Sequence, residues 1–240
     1  RAERGEHLPL LGVTCAVKDN IDVAGLPTTA AHPPSAVVPT TDAPAAARLR
    51  AAGAVLVGKV NMDQFATGLV GTRSPYGAVP SASSPDRVAG GSSSGSAAAV
   101  GLGLVDVALG TDTAGSGRVP AAFNRVIGLK PTLGLVPGTG VVPACPSYDT
   151  VSVLAADLAL GCLVLESLTG IDDDDPTSRP WPASAPLAAP EAPVLAVPTP
   201  ADLVTLSPAM RDAFAAALAR LEATGAVLRP VDLAPMLEAA

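Results

Sequence analysis

Between Gly90 and Ser116 the chain reads GGSSSGSAAAVGLGLVDVALGTDTAGS, two glycine- and serine-rich turns on either side of an apolar run. Glycine admits backbone angles closed to other residues and lets several N–H groups converge on one small volume. The two ends must therefore be loops, and the regular structure must lie between them. The serines from Ser92 to Ser96 can cap a helix through AAAVGLG, whose N-terminal dipole favours negative charge beside Ser92. The run LVDVAL, residues 104–109, then reads as a buried strand that ends at the loop carrying Ser116. A hydroxyl at a strand end beside a helix N-terminus stands where open α/β sheets hold their ligands.

Hydroxyls attack poorly at neutral pH, so a nucleophilic serine needs a base. The two histidines, His7 and His32, sit in unremarkable contexts, and the isolated Lys18 of AVKDN is the better candidate. A single glycine-serine cluster reads as a turn and nothing more. Two of them with an upstream lysine point to chemistry. No lysine follows the last glycine, so this is not a phosphate-binding Walker loop. The four aspartates from Asp172 to Asp175 lack the alternating spacing and closing glutamate of a calcium loop and read as a solvated charge run. Cys15 and Cys145 raise a Cys, Lys, Glu amidase of the nitrilase kind, but no glutamate stands in a matching context. With no cluster of His, Cys and carboxylates at ligand spacing, neither a metal nor an organic cofactor is expected.

Three stretches, AVKDNIDVAGLPTTA around Lys18, GGSSSGS from Gly90 to Ser96, and GTDTAGSGRVPAAFNRVIGLKPT from Gly110 to Thr132, resemble the amidase signature family in order and spacing. That resemblance implies a mixed β-sheet covered by helices on both faces and a Ser, cis-Ser, Lys triad. Lys18 would be the base, Ser92 the serine behind a cis peptide, and Ser116 the nucleophile. The amides of Thr113, Ala114, Gly115 and Ser116 would form the oxyanion hole. Within the family the chain is most similar to the allophanate hydrolase group, through Ser94, Ala114, DQFATGLVGTRSPYGAV and GVVPACPSYDTVS, with Pro80, Pro146 and Tyr148 departing from the pattern. The resemblance runs from about Leu8 to Leu233. It implies ammonia release from allophanate, with room for a further C-terminal domain, a urea carboxylase partner and a homo-oligomer. Arg73 and Arg118 would supply cations for an acidic substrate, although Arg118 also reads as an ion pair with Asp112 that braces the loop. Two alternatives stand beside this: the glutaminase subunit of a tRNA-dependent amidotransferase, and an inactive fragment.

For the relay to work Lys18 must be neutral, so burial has to lower its pKa well below the free value of about 10.4. Composition sets the rest. The 240 residues suit one large α/β domain, and 48% apolar content with 2% aromatics means that Ala, Val and Leu must fill the core. A net charge of −7 and the lack of a basic stripe argue against nucleic acid. No apolar run is long enough to span a membrane. Three widely spaced cysteines make no disulfide framework, which suggests a reducing cytoplasm. The chain starts without Met and stops at DLAPMLEAA, so residues 1–240 read as one domain incomplete at both ends. The proline- and aspartate-rich stretch 172–193 reads as a surface loop within it.

Locally, Leu10 to Lys18 has strand length. Asp42 can cap a helix through Arg50, with Pro44 in its first turn, ended by Gly53 before the strand AVLVG. Asn61 and Gln64 resemble a capping box for MDQFATGL. RLRAAGAVL, residues 48–56, is echoed by RLEATGAVL, residues 220–228: helix, glycine, strand. Duplication is the less favoured reading, since neither echo extends further. The later helix has Ser207 as cap, Pro208 at its first position and a stripe of Phe214, Leu218 and Leu221.

Overall fold

The computed structural model describes residues 5, 6, 8–185 and 191–238, so His7 lies outside the described residues. Its chain divides into two compact units, Arg1–Pro182 and Ala183–Ala240. The division falls inside the stretch 172–193.

The first unit is built on a five-stranded sheet of β1 (Thr14–Lys18), β2 (Val55–Val60), β3 (Val107–Asp112), β4 (Ile127–Leu129) and β5 (Thr150–Ala155). Their order is β2-β1-β3-β5-β4. β1 runs parallel to β2 and β3, whereas β5 runs antiparallel to β3 and β4. Successive side chains of a strand point to opposite faces, and the core obeys this. Cys15, Val17, Val107, Leu109, Val153 and Ala155 join Leu49 of α1 (Pro44–Ala51) and Val164 of α4 (Leu158–Leu168) in one cluster. Ala16, Ala108 and Leu154 join Ala97 and Val100 of α2 (Ser94–Gly101) and Ala121 of α3 (Arg118–Asn124) in another. The sheet is thus mixed and covered on both faces. β3 and β5 are buried at every position. Among the described residues the fully buried apolar side chains are aliphatic or sulfur-bearing, as the scarcity of aromatics requires.

Several local readings change. Pro44 takes the first helical position of α1, which makes Ala43 the cap residue and leaves Asp42 one residue too early. Asp42 instead accepts from the Ala24 amide at 2.7 Å and pairs with Arg50. MDQFATGL is no helix: only a 3-10 turn forms at Gln64–Ala66, with Phe65 and Ala66 left-handed. The side chains of the expected capping box have other partners, Asn61 Oδ1 accepting from Met62 N and Ser74 Oγ, and Gln64 Nε2 donating to the Ala31 carbonyl. Strand β1 starts at Thr14, after a turn that holds Leu10 against the Ala52 carbonyl. The aspartate run is only half solvated. Asp172 accepts from the Thr139 hydroxyl, and Asp175 accepts from the Gly138 amide at 2.8 Å, which ties this stretch to the 138–139 turn.

The second unit pairs β6 (Val194–Pro198) and β7 (Val227–Val231) in parallel, with α5 (Pro208–Ala223) and the short α6 (Ala234–Glu238). Ser207 caps α5 by accepting from Met210 N at 3.3 Å. Phe214 and Leu218 are half-buried, and Leu221 is exposed. The order α5, Gly225, β7 repeats α1, Gly53, β2, and both strands pair in parallel with the one before them. Among the described residues no helix is long and apolar enough to cross a membrane, and all three cysteines are free.

Candidate active site

Lys18 ends the strand that lies between β2 and β3, and its side chain is fully buried. Its Nζ donates to Ser92 Oγ at 2.8 Å and to Thr111 Oγ1 at 2.7 Å. Burial pushes its pKa down to about 7, against the pull of the Asp63, Asp112 and Asp149 carboxylates. Near neutral pH a large share of Lys18 is therefore an uncharged amine, with a lone pair that can take a proton. Asn20 Nδ2 donates to the same Thr111 hydroxyl at 3.2 Å and to the Val142 carbonyl at 3.1 Å.

Ser92 lies just before α2, fully buried, and the Gly91–Ser92 peptide is cis. Of the serines that follow, Ser93 and Ser96 are fastened to β3 rather than capping their own helix. Ser93 Oγ donates to the Thr111 carbonyl at 3.1 Å, and Ser96 Oγ donates to the Leu109 carbonyl at 2.9 Å. The Ser93 amide donates to the Ser116 carbonyl at 3.0 Å, so the two glycine-serine turns meet. From the other side, the Asp63 amide donates to the Ser92 carbonyl at 3.1 Å. The Asp63 carboxylate accepts from the amides of Gly71 and Arg73.

The loop after β3 turns around Asp112. This buried carboxylate accepts from the amides of Gly115, Gly117 and Arg118 at 2.9 to 3.0 Å, and from Nε and a terminal nitrogen of Arg118. Burial alone would raise its pKa, but these donors outweigh burial and hold it below the usual carboxylate range. Gly115 has φ 128, a conformation that other residues rarely adopt, and Ser116 next to it is only 4% exposed. Of the four amides expected in the oxyanion hole, that of Gly115 donates to Asp112. Arg118 is the brace of the loop through its two-pronged pair with Asp112. Arg73 is exposed and donates to the Thr67 carbonyl at 3.1 Å. Its link to the site runs through Asp63.

A cavity of about 360 Å³ adjoins the site through Thr111, with Val136, Thr139, Asp149 and Asp175 in its wall. Asp149 accepts from the Thr113 hydroxyl and from the amides of Ala144 and Cys145, which closes the turn containing Pro146 and Tyr148. Cys15 is no alternative nucleophile, since burial pushes its thiol up to about 12. Among the described residues no group of three or more His, Cys, Asp or Glu could hold a metal ion.

Over residues 1–240 the chain matches the Amidase family. The chain belongs to the amidase family. Among related amidase-family chains, urea amidolyase from Saccharomyces cerevisiae is 52% identical across 99% of this chain and 13% of its own length. An allophanate hydrolase structure from Kluyveromyces lactis superposes with TM-score 0.92 at 49% identity, covering 96% of this chain and 38% of that one. A glutamyl-tRNA(Gln) amidotransferase polypeptide from Natronomonas pharaonis is 43% identical across 97% of this chain and 56% of its own length. This chain thus spans a minor part of the first two and about half of the third. Thr111, Asp63, Asp149 and Asn20 gain roles that motif reading did not assign. The strongest signal for all four was their place inside the motifs themselves, Asn20 in AVKDN, Thr111 in GTDTAGS, Asp63 in DQFATG and Asp149 in GVVPACPSYDTVS.

Proposed function

We propose that this chain carries the acyl-transfer site of an amide hydrolase whose substrate is allophanate. The observation that carries the reading is the buried, near-neutral Lys18 amine in hydrogen-bond contact with Ser92, whose neighbour Ser93 is bonded to the backbone of Ser116. Ser116 Oγ attacks the terminal amide carbonyl and gives its proton to Ser92, which gives its own to Lys18 Nζ. The oxyanion rests on loop amides, each such donor typically worth about 3 to 4 kcal/mol. As the tetrahedral intermediate collapses, the proton returns through Ser92 to the leaving nitrogen. Ammonia departs and Ser116 is acylated. Water repeats the sequence in reverse, restoring Ser116 and releasing a dicarboxylated nitrogen compound that loses carbon dioxide. A urea carboxylase activity would supply the substrate, a pairing supported by the length of the urea amidolyase relative outside the matched part.

The substrate rests on the greater identity to urea amidolyase than to the amidotransferase polypeptide over nearly the same residues. In the full protein, Ser116→Ala is expected to abolish hydrolysis and labelling by a fluorophosphonate. Lys18→Ala and Ser92→Ala should each lose orders of magnitude, with double variants scarcely worse, because the three act as one relay. Comparing kcat/KM for allophanate, glutamine, malonamate and a neutral aliphatic amide tests the substrate. A tenfold preference for glutamine or the neutral amide would reject allophanate and leave the hydrolase reading standing.

A further inference from the structure

Gly117 directly follows Ser116, and its φ of −101 is open to any residue. Space, not backbone freedom, demands glycine here. A Cβ at this position would lie 2.5 Å from Ser152 Oγ, 3.0 Å from Ser152 Cβ and 3.3 Å from Asp112 Cβ. Ser152 comes from β5, opposite Gly110 of β3. A Cβ on Gly110 would in turn lie 3.1 Å from Ser152 Oγ and 2.8 Å from Ser93 Oγ. The Ser152 side chain therefore fills a slot bounded by two glycines, and it is 1% exposed. Its hydroxyl has no hydrogen-bond partner. Such a hydroxyl adds no hydrogen-bond stability, since an unmet buried polar group is unfavourable. What it adds is volume at one place, under the turn that carries Ser116.

We propose that Ser152 is a positioning residue that acts through Gly117, a wedge that sets how far the Ser116–Gly117 turn can fold down onto the sheet. Asp112 draws that turn inward through the Gly117 and Arg118 amides. Ser152 stops it. The balance of the two places Ser116 against the Ser92 and Lys18 pair, so the inference rests on the amide-hydrolase reading. Nothing in it requires Ser152 to touch substrate.

The test is a double-mutant cycle in the full protein with Gly117→Ala, Ser152→Gly and the pair combined, adding Gly117→Ala with Ser152→Ala as a graded case. Three quantities are read: the rate of fluorophosphonate labelling of Ser116, kcat and KM for allophanate, and Tm. A displacement of the order of 1 Å can cost about a hundredfold in rate. Gly117→Ala is accordingly expected to lower labelling and kcat by about that factor while leaving KM nearly unchanged. Adding Ser152→Gly should restore most of the loss, and adding Ser152→Ala should restore less, because its Cβ stays in the way. Full rates in Gly117→Ala, or a double variant as slow as Gly117→Ala, would overturn the wedge. If Gly117→Ala fails to fold, the combined variant must regain the wild-type Tm, and failure to do so also overturns it. A wild-type protein that neither labels nor hydrolyses amides would instead sink the hydrolase reading, and the positioning role with it.

Discussion

The proposed site turns on a fully buried lysine. Burial lowers its basicity toward neutrality against the pull of the Asp63, Asp112 and Asp149 carboxylates, and the Thr111 hydroxyl, which accepts from Nζ at 2.7 Å, is placed to favour the charged form as well. With Lys18 as base, kcat/KM should rise with pH through about 7, as the amine loses its proton. Thr111→Val keeps the shape and removes the acceptor. The ammonium then loses a partner, and the rising limb should move to lower pH, read from kcat/KM profiles of the two proteins. An unchanged or upward-shifted limb would mean that Thr111 does not tune the base. At this scale the sequence was readable where chemistry is concentrated in motifs: Lys18, Ser92 and Ser116 could be named as candidates through the family resemblance that three motifs carry. Thr111 could not, since it acts on Lys18 across 93 residues of chain, and no local pattern encodes which hydroxyl will face a lysine once two strands pair. That the Gly115 amide is already engaged was hidden for a related reason. Its partner, Asp112, lies three residues away, but only the folded turn shows that the carboxylate points inward.

Elements were predictable where burial is uniform and less so where side chains had to choose partners. β3 was legible only in part: the strand was expected at residues 104–109 but runs Val107–Asp112, because Leu104 and Asp106 are exposed, Asp106 accepts from Thr14, and the strand continues through Gly110 and Thr111. Leu109 on β3 is fully buried against the α1 and α4 side. Leu109→Ala should therefore destabilise the protein by about 2 to 5 kcal/mol, the usual range for emptying such a site. Urea unfolding with an unchanged m-value would show it, and a loss below about 1 kcal/mol would mean that the site collapses around the gap. The failures are instructive in the same terms. Asp42 and Asn61 both have cap-forming side chains, yet each is claimed by another partner, Asp42 by the distant Ala24 amide and Asn61 by Met62 and Ser74. Capping is one use of a short polar side chain among several, and tertiary contacts decide between them.

For the molecule as a whole, the mixed sheet between two helical layers followed from the alternation of strand and helix signals and the resemblance. The boundary between units at Pro182 did not, because a proline- and aspartate-rich stretch reads the same whether it bounds a unit or decorates one. Lys18 also leaves a mark on global stability. Its pKa is about 7 in the folded protein against 10.5 for the free side chain, so between those values the unfolded chain binds more protons than the folded one. Stability from this group therefore rises with pH across that window, and below it the whole cost of burying an ammonium is felt. The difference in unfolding free energy between wild type and Lys18→Met, measured from about pH 7 to pH 9, should climb in favour of wild type. A flat or falling difference would show that the lysine is not desolvated.

The Lys18 contacts have a consequence in time. Its partners Ser92 and Thr111 are 74 and 93 residues away along the chain, and β1 must pair with β3 before Lys18 and Thr111 meet. Contacts so remote in sequence form slowly, because long loops have to close first. On the proposed function, reactivity at Ser116 would work as a clock for the closing of the sheet. During refolding from urea, helical signal should return early, while capture by a fluorophosphonate should lag until the last phase that repairs tertiary structure. A serine that became reactive together with the first helical signal would place the assembly of the site ahead of the sheet that holds it.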